Sequence, residues 1–217
     1  MAHSTSATAT LRACHRALIH CVVAAGLALA SSLAGAQGVV TLYGGARGGG
    51  ELIDDNAGGT PVKLESGGTA AVSFDWFLSD GQQAQLFYSF QRSALPGSVV
   101  NRADDIAVNI SYLHLGGRVF FDGGPTTHGG YVVGGLGMTV FAPRDAGLSS
   151  EVRPSMNLGI GYQWMLSKQV ALRTELRGYL TLVNSSGGFF CSGGCVVSIR
   201  GDTVQQTEGL LGLSFNF

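Results

Sequence analysis

The stretch "VALRTELRGYLTLV" (170–183) decides how this chain folds. Leu172, Leu176, Leu180 and Leu182 share one parity with Thr174 and Gly178, while Arg173, Glu175, Arg177, Tyr179 and Thr181 share the other. Period two is the signature of a β-strand with two unlike faces. A soluble barrel turns its apolar face inward and decorates its outside with Lys and Glu. Here one face is free of charge, and the other concentrates Arg and Glu between Gly-rich neighbours.

The same division recurs along the chain. In 156–164, Met156, Leu158, Ile160, Tyr162 and Trp164 oppose Asn157, Gly159, Gly161 and Gln163. In 70–78, Val72, Phe74, Trp76 and Leu78 oppose Ser73, Asp75 and Phe77. In 84–91, Ala84, Leu86, Tyr88 and Phe90 oppose Gln85, Phe87, Ser89 and Gln91. Charge facing lipid is costly, whereas charges inside a barrel can pair with one another. The apolar rows therefore face hydrocarbon, and the polar rows face a lumen.

Composition fits that solvent. Of 217 residues only 12% are charged, about half the usual quarter, and 34 are Gly, about twice the usual share. At the N-terminus, Arg12 and Arg16 precede the uncharged run "ALIHCVVAAGLALASSLAGAQ", which closes on Ala34, Gly35 and Ala36. A basic segment, an apolar segment and small residues at a cut describe a secretory signal peptide, expected to end at residue 36. The apolar core is short for a spanning helix. Removing Arg12 and Arg16 leaves 11 basic against 14 acidic residues, a balance of −3. No basic face suggests a nucleic-acid partner.

The remaining 37–217 reads as one all-β domain, an antiparallel closed transmembrane barrel of about eight strands. The strands are predicted over 39–52, 70–78, 83–91, 106–121, 131–141, 155–166 and 170–183, with a terminal strand in "TEGLLGLSFNF" (207–217). Roughly nine residues suffice to cross a bilayer at a tilt. Short turns at 79–82, 122–130 and 167–169 alternate with long polar connections at 54–68, 93–105, 142–154 and 184–206. Trp76, Tyr162 and Trp164 flank the short turns, where an aromatic girdle meets the membrane surface. Within 106–121 the alternation is read as slipping near Tyr112 to Leu115, which leaves Arg118 without an assigned face.

With the signal segment, "YVVGGLGMTVF" (131–141), "GYQWMLSKQVALRTELRGY" (161–179) and "LLGLSFNF" (210–217) resemble the small eight-stranded outer-membrane β-barrel proteins of Gram-negative bacteria, of the OmpA membrane-domain, OmpX and OmpW type. That resemblance implies residence in the outer membrane among its lipid and lipopolysaccharide. It also implies that Leu211, Leu213, Phe215 and Phe217 resemble the signal read by the barrel-assembly machinery. The peptidoglycan-binding domain that follows the barrel in OmpA has no counterpart here, so no cell-wall tether is implied.

Arg47, Glu51, Asp75, Arg173, Glu175 and Arg177 fall on the expected lumen face. They form either a selectivity lining or a paired plug, and eight strands enclose a space just wide enough for side chains to fill. Cys191 and Cys195, in "CSGGC", are expected to form a disulfide in an oxidising envelope. Zinc would need more ligands than the distant His114 and His128 supply, and no cofactor is implied. "GGLGMT" lacks the Lys and the following helix of a phosphate loop. A lipid-modifying enzyme would place His and Ser together at the lipid-facing outer rim, and no mature His has a Ser two residues away. The expected function is thus a non-enzymatic barrel with a side-chain-filled lumen and four surface loops. The alternative is a narrow channel for small hydrophobic or ionic solutes.

Overall fold

In the computed structural model the chain is described at residues 38–54, 60–95, 106–121, 124, 126–144, 149–183, 188–189, 197–198 and 203–217. The expected signal segment and both Cys191 and Cys195 lie outside these residues. Eight strands form the barrel: β1 (Gly38–Gly49), β2 (Gly67–Ser79), β3 (Gln82–Leu95), β4 (Ile106–Phe120), β5 (Gly129–Pro143), β6 (Glu151–Met165), β7 (Val170–Leu182) and β8 (Thr203–Asn216). Each pairs antiparallel with its chain neighbours, and β8 returns to β1, so the sheet closes on itself. The seam runs from Val39 opposite Asn216 to Gly49 opposite Gln206. Gly38 and Phe217 exchange backbone hydrogen bonds of 3.1 and 3.0 Å at its end. Closure leaves no unpaired edge in hydrocarbon. At 12 to 15 residues, the strands exceed the length a tilted crossing needs.

The two ends of the barrel differ. Short connections at 80–81, 121–128 and 166–169 share one end, the turn end, with Gly38 and Phe217. The long connections share the other, the loop end. Small two-stranded hairpins rise from two of them, one pairing Glu51–Asp54 with Thr60–Lys63 and one pairing Gly188–Phe189 with Val197–Ser198.

That first hairpin corrects one expectation. Glu51 stands outside the barrel strand, opposite Lys63 in the separate hairpin. The cause lies in Gly49 and Gly50, whose φ of 81° and 95° turns the chain out of the sheet before Glu51 is reached. A second correction concerns β4. Its pairing with β3 and β5 runs without a register shift, and the expected slip near Tyr112 to Leu115 does not occur. Val108, Ile110, Tyr112, His114, Arg118 and Phe120 point inward, while Leu113 and Leu115 point out. Both faces carry large apolar residues, which hides the parity.

Elsewhere the expected faces hold. Leu136, Leu158, Ile160, Leu176 and Leu211 are all more than half exposed on the outer surface. Arg173, Arg177 and Glu208 are fully buried on the inner one. At the turn end, Tyr162 and Trp164 point outward with tilted rings whose centroids are 4.6 Å apart. Phe74 bridges Trp76 (5.6 Å) and Phe217 (6.3 Å) across the seam. Leu211, Leu213, Phe215 and Phe217 form one exposed row down β8. No helix among the described residues is long and apolar enough to cross a membrane.

Candidate functional site: a charged lumen

The inward rows converge on two groups of ion pairs stacked along the barrel axis. Nearer the turn end, Glu175 of β7 receives four donors. Its Oε1 accepts from Tyr43 (2.7 Å), Tyr131 (2.8 Å) and Arg118 Nη2 (2.9 Å), and its Oε2 from Arg177 Nε (2.7 Å). Asp75 of β2 is as fully engaged. Its Oδ1 accepts from Gln85 (2.6 Å), and its Oδ2 from Ser73, Arg118 Nη1 and Arg173 Nη1, each at 3.0 Å. Arg118 thereby bridges both carboxylates, and Arg173 adds Gln163 and Thr41, both at 2.8 Å. Nearer the loop end, Arg47 Nη2 meets Glu208 Oε1 at 3.0 Å. Ser89 donates to the same oxygen at 2.8 Å, and Tyr179 donates to Glu208 Oε2.

Two glycines make the first group possible. A Cβ on Gly161 would lie 2.5 Å from the Tyr131 ring, and one on Gly212 would lie 2.4 Å from the Tyr43 ring. Gly161 sits directly opposite Glu175 in β6, and Gly212 opposite Arg173 in β8. Each tyrosine leans over the bare backbone of a strand flanking β7 and delivers its hydroxyl to the carboxylate. Cations are also covered by rings: Arg177 lies 3.8 Å from the Phe87 centroid, Arg118 4.6 Å from Tyr131 and Arg47 4.5 Å from Tyr112. In a medium that excludes water such contacts are worth more than on a surface.

Above the second group the lumen turns apolar. Val108, Ile110, Phe141, Val183 and Val204 close the loop end, capped by Leu64 from the β1–β2 connection. Leu64 is anchored by its N–H to the Gly50 carbonyl at 2.9 Å.

The structure thus brings together Arg47, Asp75, Arg173, Glu175 and Arg177, and excludes Glu51. Sequence reasoning placed Tyr179 on the lumen face but missed Arg118, Glu208, Tyr43, Tyr112 and Tyr131. Glu208 was within reach, since it shares the parity of Ser214 and Gly212 in β8. His114, too distant in sequence from His128 to suggest a zinc site, has its Nε2 3.0 Å from Ser155 Oγ, over Gly137 of the strand between them. This pair sits inside the barrel rather than at a lipid-facing rim, with the His114 ring stacked on Tyr112. No described residue hydrogen-bonds His114 Nδ1. His128 lies exposed in the turn at 121–128, accepting from the Met165 backbone at 3.3 Å. No metal-binding cluster of His, Cys, Asp and Glu occurs among the described residues.

Neither a protein-family model nor a curated protein matches the sequence. Solved structures do match. The chain is similar to the Neisserial surface protein A, with a TM-score of 0.58 and 11% identity, over 83% of this chain and 97% of that one. It is also similar to the outer membrane protein AlkL in lipid bilayers, with a TM-score of 0.53 and 19% identity, over 84% of this chain and 90% of that one. At such identities the likeness is one of architecture: this chain has the fold of the small eight-stranded outer-membrane β-barrels.

Proposed function

We propose that the mature chain, freed of residues 1–36, is a non-enzymatic integral protein of the bacterial outer membrane. Its lumen is sealed by its own side chains, and its four long connections face the exterior. One observation carries this reading: the outward rows are apolar while every lumen carboxylate described is ion-paired and fully buried. A conducting pore needs a continuous water column, and here ion pairs and the Leu64-capped apolar layer stand in its way. Lipid and lipopolysaccharide would contact the outer rows, and the loops would support the membrane or meet external partners. We further assign Leu211, Leu213, Phe215 and Phe217 to recognition by the barrel-assembly machinery, because this row is exposed at the closing strand.

Planar-bilayer recording of the purified monomer tests the first assignment. The expected trace is flat or shows only small, rare steps; a stable nanosiemens-scale pore would overturn the sealed-lumen reading. Deleting Phe217 tests the second. Secretion should persist while outer-membrane fractionation and heat-modifiable gel migration are lost, and a deletion that assembles normally would remove Phe217 from the signal.

A further inference from the structure

The lumen's charges do not balance. Among the described residues, the guanidinium groups of Arg47, Arg118, Arg173 and Arg177 face the carboxylates of Asp75, Glu175 and Glu208, four against three. Arg47 and Glu208 pair with each other, so the surplus belongs to the turn-side group of three guanidiniums and two carboxylates. All five side chains are fully buried, and a charge removed from water without a counter-charge is strongly unfavourable.

Buried guanidinium nitrogens without a partner occur in both groups, Arg47 Nε and Nη1 on the loop side and Arg118 Nε and Arg173 Nη2 in the group that carries the surplus. Arg173 Nη2 is buried with no hydrogen-bond partner among the described residues, although its Nε and Nη1 are both satisfied. Gln83 is oriented by Arg118, which donates to its Oε1 at 3.2 Å, and its Nε2 is likewise unpartnered. Arg173 and Gln83 are linked through Arg118, whose Nη1 contacts both Gln83 Oε1 and the Asp75 oxygen that Arg173 Nη1 also grips. Asn216, at the turn-end tip of β8, has both side-chain polar atoms free of protein partners.

We propose that the turn-side half of the lumen takes up one small monovalent anion of the halide class. It sits against Arg173 Nη2 with Gln83 Nε2 as second donor, and it is the missing counter-charge of the five-residue cluster. The three-against-two cluster then becomes neutral without any protein carboxylate changing partner.

The test uses the mature barrel folded in detergent micelles and unfolded thermally, with Trp76 and Trp164 fluorescence as readout. Replacing gluconate by chloride at constant ionic strength should raise the unfolding midpoint saturably, as a ligand that binds only the folded state does. Thr41→Asp places a carboxylate where Thr41 Oγ1 now accepts from Arg173 at 2.8 Å. That variant should be stable in gluconate and lose the chloride response. Ser214→Asp, 2.9 Å from Thr41, serves the same purpose if the first variant does not fold. Crystals soaked in bromide should show one anomalous peak beside Arg173 and Gln83. A midpoint indifferent to the anion, a bromide peak elsewhere, or a full chloride response in the Asp variant would each overturn the proposal.

Discussion

The two halves of the lumen solve one packing problem in opposite ways. The turn-side half is filled by Arg118, Arg173, Arg177, Asp75 and Glu175, each fixed by several directed bonds. The loop-side half ends in Val108, Ile110, Phe141, Val183 and Val204, which need only fill space. Directed bonds specify a single arrangement, because each broken bond leaves a buried charge behind. Apolar packing tolerates change as long as volume is kept. The charged half therefore fixes the barrel's geometry, and the apolar half is the part that loop variation can reshape.

Glu175→Leu should break this contrast most severely. It strands Arg177, leaves Arg118 to share Asp75 with Arg173, and leaves the Tyr43 and Tyr131 hydroxyls without their acceptor, for an expected loss of ~3–5 kcal/mol in denaturant unfolding. Gly161→Val acts on the same carboxylate indirectly. It drives the Tyr131 ring away from Glu175, and ~1–3 kcal/mol is expected in the same assay. On the apolar side, Ile110→Val should cost only ~0.5–1.5 kcal/mol, because one methyl group is removed and no charge is exposed. If Ile110→Val proved as damaging as Glu175→Leu, the division between a specifying half and a filling half would fall.

How much of this was legible beforehand follows the same division. Where a strand opposes Leu to Arg, as β7 does, alternation alone assigns both faces. In β4 it cannot, because Val108, Ile110 and Tyr112 inside are as apolar as Leu113 and Leu115 outside. Arg118 was consequently left without a face, although it proves to be the residue that links Asp75 to Glu175. Sequence could name which residues share a lumen but not which touch. Contacts such as Tyr43 with Glu175 or His114 with Ser155 reach over a glycine of the strand between them, Gly212 or Gly137, and they depend on the stagger with which the strands pair. Glu51 was misplaced for a local reason, since parity continues on paper through two glycines that in fact turn the chain away.

The seam between β1 and β8 also bears on the order of events during folding. Every other pair of neighbouring strands is joined by a connection close at hand, whereas Thr41 and Ser214, bonded across the seam, are 173 residues apart. Closing a loop grows costlier by about 0.6 kcal/mol with each doubling of its length, so the seam stands about four doublings, or about 2.5 kcal/mol, above a ten-residue hairpin. Hairpins can assemble early and reversibly, but the cylinder exists only once the most distant partners meet. Mutations within the early-forming hairpins should therefore slow folding, while those confined to the late contacts of the β1–β8 seam should mainly quicken unfolding.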